Sequence, residues 1–431
     1  MTVRRRHKLT GRVKLDTRTW RAKAPVLRSC PVKRRCTTRR HDHGRPSVAA
    51  ERTIFHVDID AFFAAAERSV NPDLIGKLLI IGGTGGRGVV ACASYEVRPY
   101  GVRSAMPMSR ALRLCPNALA MNSSHGLYGK ISKSFMAILR DYTPDVQVMS
   151  VDEAYMDMTG TEGLYGSPEK AGQAVKDRVR EELKLTASIG IAPSRLVAKI
   201  ASDERKPDGM FTVQAGDEAA YLAPMPVRKL PGIGPRAAEK LARLGIQTLG
   251  QLAVFPEGPL RREMGNQFSR LIERAKGTDN SELSSETKSK SISSETTFHA
   301  DSTDRAFLDK MVADLSQSVG RRLRRTGKHA RSVSLKLRYN DFTTLTRHNT
   351  PNVSFDGDAR IVEIATALLD ATLKQRNVPV RLIGVGVENL SEPAAQLSLL
   401  DSAVKDVSTL SSTLDRIRDR FGDDSVTRGP R

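Results

Sequence analysis

The sequence predicts a multi-domain α+β protein, and three observations carry that expectation. Strand-like apolar runs alternate with helical runs from about Thr53 to Ser202. A helical stretch punctuated by glycine and proline follows. An αββαβ pattern comes next, a small sheet with helices on one face. A chain of 431 residues suits two to four domains with a sizeable core.

Residues 1–50 hold 16 Lys and Arg against Asp16 and Asp42, which places +14 of the net +21 charge there. They are rich in Arg, Lys, Pro and Thr and lack periodicity, so a disordered basic arm is expected. Cys30, Cys36, His41 and His43 give C-x5-C-x4-H-x-H, which is not a standard zinc spacing. The arm reads as disordered, or as an upstream stretch absent from the working protein.

The first strand is expected at Thr53–Asp58, followed by a helical run over 61–68 that Asn71-Pro72 stops. A strand at 78–81 leads into the glycine cluster 82–88, and another leaves it at 89–93. No helix follows the cluster and the Lys-Ser/Thr ending is missing, so it reads as a flexible hairpin and not a P-loop. Residues 124–141 predict a helix, and 146–158 a hairpin. Residues 168–184 predict a helix, 186–192 a strand, and 194–205 a helix with Ser194 as N-cap. Leu230-Pro231-Gly232-Ile233-Gly234-Pro235 punctuates two short helices, and Ser281–Ser294 has the Ser/Glu/Lys/Thr composition of a linker. A helix at 303–325 ends in Arg321-Arg322-Leu323-Arg324-Arg325. Strands at 332–339 and 343–346, a helix at 359–375 and a strand at 380–388 follow. Val404, Val407, Leu410, Leu414, Ile417 and Phe421 then mark an amphipathic helix.

Four cysteines without framework spacing point to a reducing compartment. No apolar run approaches membrane-spanning length, and the N-terminus lacks the apolar core of a signal peptide. The expectation is a cytoplasmic protein with a polyanionic partner. A membrane surface is also polyanionic, but no amphipathic basic helix stands out in the arm.

Asp58 ends the first strand, and Asp152 and Glu153 stand where the apolar run Val146–Val151 gives out. Carboxylates at the ends of buried strands are costly to desolvate and need a cation or a proton to share. Three that converge form a hard-oxygen site suited to Mg²⁺, which keeps some water and takes further ligands from substrate phosphates. In a basic chain this points to phosphoryl or nucleotidyl transfer on nucleic acid. Strict strand alternation sends Asp152 and Glu153 to opposite faces, so a turn or bulge is needed for both to reach one cation.

At these residues the chain resembles a known family. His56-Val57-Asp58-Ile59-Asp60-Ala61-Phe62-Phe63-Ala64-Ala65-Ala66-Glu67 resembles the opening motif of the Y-family translesion DNA polymerases. Ala93-Ser94-Tyr95-Glu96-Val97-Arg98-Pro99-Tyr100-Gly101-Val102 resembles their fingers motif, and Ser150-Val151-Asp152-Glu153-Ala154-Tyr155-Met156-Asp157 their second carboxylate motif. Ser188-Ile189-Gly190-Ile191-Ala192, Ala198-Lys199-Ile200-Ala201-Ser202 and Lys206-Pro207-Asp208-Gly209 resemble the palm segment that follows. The match runs from about Thr53 to Leu390 and is nearest the bacterial DNA polymerase IV subgroup, the DinB type. Several motifs in order are far more specific than one.

The resemblance implies a right-hand polymerase. The palm, with a ferredoxin-like sheet, covers 51–61 and 120–215, and small fingers cover 62–119. A helical thumb with a helix-hairpin-helix covers 216–282, a linker 283–291, and an αβ little finger 292–391. A tail over 392–431 follows. The implied reaction is two-metal-ion transfer of a dNTP to a primer 3′-OH on template DNA, in a monomer, with low fidelity and tolerance of lesions. Asp58, Asp152 and Glu153, with the Ile59 carbonyl, are the implied ligands of two Mg²⁺ ions. Tyr95, Arg98 and Lys199 are implied to hold the triphosphate, and Phe63 to act as the steric gate, with Phe62 in the core. Asp60 is expected to cap the next helix, and Asp157 to sit in the palm strand without metal. Gly232 and Gly234 open a helix N-terminus to a DNA phosphate. Arg321, Arg322, Arg324, Arg325, Lys328, Arg331, Lys336, Arg338 and Arg347 crowd the little finger and are read as gripping the duplex backbone. Gln396-Leu397-Ser398-Leu399-Leu400 resembles the peptide that docks bacterial polymerases into the sliding clamp (beta subunit), although its last position is more often Phe.

Two other readings stand beside this one. A catalytically inactive, polymerase-like mutagenesis scaffold that binds the clamp typically lacks the acidic set, which is present here. A palm-type nucleotidyl cyclase has no use for the helix-hairpin-helix, the basic C-terminal domain or the clamp-like peptide.

Overall fold

The computed structural model describes residues 51–284, 289–376, 378–392, 413–422 and 425–426. Twelve strands run through them: β1 (Ile54–Ile59), β2 (Leu79–Gly82), β3 (Val90–Ala93), β4 (Leu119–Met121), β5 (Val146–Val148), β6 (Glu153–Asp157), β7 (Ala187–Ala192), β8 (Met210–Thr212), β9 (Ser291–Ser302), β10 (Ser332–Tyr339), β11 (Thr344–Asn349) and β12 (Val380–Glu388). They form three sheets, ordered β5-β6-β1-β7-β8, β3-β2-β4 and β11-β10-β12-β9.

The five-stranded sheet carries the site. β1 lies at its centre, antiparallel to β6 and β7, and nearly all of it is buried. Period-2 alternation divides its side chains between two cores. Phe55, Val57 and Ile59 face the helices His125–Arg140 and Pro168–Leu183, whereas Ile54 joins the cluster around Leu196, Val197 and Ile200. The helix Arg195–Ser202 starts at Ser194, whose hydroxyl accepts the Val197 N–H, as expected for an N-cap. That helix lies directly on β7 at Gly190, where a Cβ would stand 2.0 Å from the Ala198 carbonyl oxygen.

The thumb helices Pro235–Arg243, Leu249–Ala253, Glu257–Met264 and Phe268–Ala275 close around Leu241, Leu252, Leu260 and Leu271. A short helix, Glu218–Leu222, and a 3-10 turn, Val227–Lys229, stand before Gly232. Thr248 and Gln251 form a capping box at the head of Leu249–Ala253.

The C-terminal sheet has one strand more than the sequence predicts. Residues 291–302, expected as the end of a linker and a lead into the helix, form β9. Only Ile292 and Phe298 of it enter the core, so its hydrophobic signal is weak. It is an edge strand held by its ladder to β12. The helices Arg305–Arg325 and Asp358–Gln375 pack together on one face, against Val333, Leu335, Leu337 and Tyr339. Lys336 and Arg338 alternate onto the other face.

The glycine cluster joins β2 to β3 as a hairpin, tied to β9 through Arg87. The Arg87 guanidinium reaches Asp301 of β9 at 2.6 Å and donates to the Phe298 carbonyl at 3.0 Å. Cys115 is buried in the small core behind this sheet. Helix continues over 413–421, the end of the expected amphipathic helix. No helix among the described residues is long and apolar enough to cross a membrane. The basic arm with Cys30, Cys36, His41 and His43, the clamp-like peptide Gln396–Leu400 and positions 404–410 lie outside the described residues.

Candidate active site

The antiparallel register of β1 and β6 sets Asp58 directly opposite Glu153. Asp152 is one residue earlier, in the turn between β5 and β6, and its carbonyl accepts the Ile59 N–H at 3.0 Å. Ser150 shapes that turn. Its hydroxyl donates to the Asp152 carboxylate and accepts the backbone N–H groups of Asp152 and Glu153, each at 3.2 Å. The turn is what frees Asp152 from strand alternation. Asp58, Ile59 and Asp152 line a cavity together with Phe63, Tyr95, Arg98, Asp203 and Lys206; Glu153 is not among its lining residues.

The three carboxylates share one end of the sheet, yet among the described residues no three acidic, His or Cys side chains converge as a ready metal cage. Each acid is engaged by a neighbour. Lys206 Nζ lies 2.9 Å from Asp58 Oδ1 and 2.9 Å from Asp203 Oδ1. Lys199 Nζ lies 2.6 Å from Glu153 Oε2, and His56 Nε2 lies 3.4 Å from the same oxygen. Burial pushes the Asp58 carboxyl above its ordinary range, Lys206 only partly offsets this, and the Asp152 charge adds to it. Burial pulls the Lys206 ammonium down, but the Asp58 and Asp203 carboxylates outweigh it and the net shift is upward. Glu153 is held down at about 2, first by the hydrogen bond with His56 and then, against burial, by Lys199. Burial lowers His56. Hard oxygen donors that already draw ammonium groups fit a divalent cation in kind, with Asp58 and Asp152 on the cavity wall.

Of the nucleotide-side expectations, Phe63, Tyr95 and Arg98 line this cavity and Lys199 does not. Phe63 is half-buried and stacks on Tyr128 at 4.4 Å with 14° between the planes, whereas Phe62 is buried in the core. The Arg98 guanidinium lies 3.7 Å above the Tyr95 ring. Burial first, then the Asp60 charge, pushes the Tyr95 hydroxyl up to about 12. Lys199 is not among the cavity-lining residues; it sits between Glu153 and His56 on the helix side of the sheet. The lysine in the cavity is Lys206, which sequence reasoning passed over although it opens the quoted Lys206-Pro207-Asp208-Gly209 motif.

Asp60 is not a helix cap. The helix Phe62–Val70 begins at Ala61, in left-handed backbone with no side-chain cap. Asp60 is buried and accepts from Ser188 Oγ at 2.8 Å, the Asp208 N–H at 2.7 Å and the Tyr95 hydroxyl at 3.3 Å. It therefore joins β1 to β7, to the 206–209 loop and to the fingers. Asp157 accepts the Thr159 N–H in the palm, away from the cavity.

The basic cluster divides in two. Arg324 is nearly buried, pairing with Asp358 at 2.6 Å and Asp415 at 2.7 Å. Arg321 and Arg325 both reach Asp419 of the tail helix, and Arg322 donates to the Ser293 carbonyl. The expected run of helix arginines is thus largely taken up within the domain. Lys336 lies 2.7 Å from Glu295, and Arg338 donates to Thr344 Oγ1, both on the sheet face without helices. Arg331 is exposed. In the thumb, Gly232 has φ +95°, and Gly234 precedes the helix Pro235–Arg243 as its N-cap.

Comparison with known proteins agrees with this architecture. The chain matches the impB/mucB/samB family over residues 57–203, the C-terminal domain of that family over 289–399, and the HHH motif of the IMS family over 215–246. It is 42% identical over 381 residues to DNA polymerase IV of Dehalococcoides mccartyi, covering 88% of this chain and 97% of that protein. It is 39% identical to DNA polymerase IV of Halorhodospira halophila, over 81% of this chain and 99% of that one. Among solved structures, a Y-family DNA polymerase chimera of Dbh and Dpo4 superposes with a TM-score of 0.73 at 25% identity, over 79% of this chain and 100% of that one. The insertion ternary complex of Dbh DNA polymerase superposes with a TM-score of 0.59 at 26% identity, with the same coverage. The chain belongs to the DinB-type Y family, and is a divalent-metal-dependent, template-directed DNA polymerase of the translesion type, a nucleotidyltransferase of DNA damage tolerance and repair.

Proposed function

We propose that Asp58, Asp152 and Glu153, with the backbone carbonyl of Ile59, hold two Mg²⁺ ions while a dNTP is joined to the primer 3′-OH. When bound, such ions lower the pKa of the attacking hydroxyl and stabilise the leaving pyrophosphate. The observation that supports this reading is the lining of one cavity, which brings Asp58, Asp152 and Ile59 together with Tyr95, Arg98 and Lys206, while Glu153 stands opposite Asp58 in the sheet register. Tyr95, Arg98 and Lys206 grip the triphosphate, Arg98 through its guanidinium fork and Lys206 as a point charge. Lys199 acts instead on Glu153, its nearest anion. Phe63 lies under the sugar and excludes a 2′-OH, and Tyr128 behind it keeps the ring in place. Asp60 keeps Tyr95 and the 206–209 loop in register.

DNA backbone contacts fall to Gly232 and Gly234 at the thumb helix N-terminus, and to Lys336, Arg338 and Arg331 on the little finger. The placement of Lys336 and Arg338 on the sheet face without helices supports this, with Lys336 paired to Glu295 and Arg338 donating to Thr344 Oγ1. The domain limits given above, a monomer in the cytoplasm and docking of Gln396-Leu397-Ser398-Leu399-Leu400 into the sliding clamp complete the proposal. Primer extension by Asp152→Asn tests it. Extension should be abolished while DNA affinity persists; extension at the wild-type rate refutes the metal role.

A further inference from the structure

The proposed mechanism leaves one buried polar side chain beside the carboxylates unused. His56 is 1% exposed on β1, two residues before Asp58 and on the same face. Its ring is held on several sides. Nδ1 meets Ser202 Oγ at 2.9 Å, and that hydroxyl also donates to the Lys199 carbonyl at 2.8 Å. The Tyr155 ring stands edge-on at 4.9 Å. Nε2 meets Lys199 Nζ at 3.3 Å and Glu153 Oε2 at 3.4 Å. The imidazole is therefore fixed by the helix that carries Lys199 and presents its other nitrogen to the Lys199–Glu153 pair.

This geometry limits two flexible side chains. Lysine and glutamate each lose considerable rotamer freedom when held in one place, and an exposed pair seldom stays in a single arrangement. Here Lys199 Nζ meets both Glu153 Oε2 and His56 Nε2, so the ring holds the ammonium that in turn holds the carboxylate, while Glu153 Oε1 makes no hydrogen bond among the described residues. Glu153 is thereby aimed by one oxygen with the other left over. A buried ring that orients a ligand through its neighbours is how outer groups tune a metal centre.

We propose that His56 is a positioning residue for nucleotidyl transfer, fixing Lys199 and Glu153 at the sheet end where Asp58 and Asp152 stand. This rests on the reading of Glu153 as a metal ligand. His56 does not line the cavity, so its loss acts on the chemical step and on metal affinity, not on dNTP binding.

The test compares two amides. In His56→Gln the side-chain amide reaches the place of Nε2 and can still meet Lys199 and Glu153. In His56→Asn it reaches only the place of Nδ1, keeping Ser202 and losing the pair. Single-nucleotide insertion should show kcat for His56→Asn reduced about 10- to 100-fold with the dNTP KM unchanged, the usual cost of losing an outer orienting group. His56→Gln should stay within about threefold of wild type on the same scale. Mn²⁺ binding to the complex with dNTP and a dideoxy-terminated primer, followed by electron paramagnetic resonance, should weaken in His56→Asn and not in His56→Gln. Wild-type kcat and Mn²⁺ affinity in His56→Asn overturn the proposal, as do equal losses in the two variants. If His56→Asn does not fold, Ser202→Ala removes the hydroxyl that fixes the ring and should lower kcat and Mn²⁺ affinity together; no change in either overturns the proposal. Glu153→Gln separates the two claims, because full activity there removes the ligand assignment itself, whereas inactivity there with a normal His56→Asn removes only the positioning role.

Discussion

Replacing Lys206 by Met keeps an unbranched stem out to Cε and deletes the ammonium, so it isolates what the charged group does. That ammonium is shared by Asp58 and Asp203, 2.9 Å from each, and its side chain is 20% exposed. Removing one partner of a fully buried pair costs about 3–5 kcal/mol, and solvent access reduces this to about 1–2 kcal/mol here. Asp58, already pushed up by burial, loses its main opposing charge and moves further up. If the same ammonium meets the triphosphate, a charge-assisted hydrogen bond of about 1.5–3 kcal/mol is lost as well. At 1.4 kcal/mol per decade that is roughly a 10- to 150-fold rise in dNTP KM. Steady-state single-nucleotide insertion at saturating primer-template measures it, with Lys199→Met as the comparison. Lys199→Met should instead lower kcat, because Lys199 pairs with Glu153 outside the cavity. A Lys206→Met enzyme with normal KM and a reduced melting temperature reduces Lys206 to a structural ion pair. The reverse pattern, with KM raised only in Lys199→Met, refutes the division of roles between the two lysines.

Three further outcomes are expected. Phe63→Ala should raise ribonucleotide incorporation by about 10- to 200-fold relative to dNTP, the range open to a purely steric pocket; unchanged rNTP/dNTP selectivity argues against the gate. Gly190→Ala drives a methyl group to within 2.0 Å of the Ala198 carbonyl, so it should cost about 1–3 kcal/mol and lower the melting temperature by several degrees. An unchanged melting curve would mean that the helix has room to shift away from β7 at Gly190. Deleting 396–400 should reduce clamp-dependent synthesis and spare distributive synthesis; undiminished clamp stimulation counts against the docking peptide.

Much of the architecture was legible because it is written in local pattern. The continuous apolar run of β1, the Ser194 cap and the period of the helix Pro168–Leu183 are all nearest-neighbour signals. β9 was missed because an edge strand of Ser, Thr and Glu has almost no hydrophobic alternation, and its stability comes from pairing with a strand about ninety residues away. The helix arginines were expected at DNA because density was the only signal; nothing local announces that Asp358, Asp415 and Asp419 occupy them. Asp60 was read as a cap because it precedes a helix, whereas its partners Ser188 and Asp208 lie far along the chain. His56 gave no signal beyond its place in a motif.

By itself the sequence determined which chemical groups exist and in what order: two acid-tipped strands, the fingers Tyr and Arg, an aromatic beside the first acid, and a basic C-terminal domain. That was enough for the family and the reaction. The tertiary structure decided the pairings. It set Lys206 on Asp58 and Lys199 on Glu153, put a turn at Ser150 so that Asp152 leaves the strand pattern, and placed His56 behind the second pair. The reason is that side-chain partners here are separated by tens to more than a hundred residues, so no local period specifies them; they meet only when the β1–β6–β7 ladder and the helix lying on it bring their faces together.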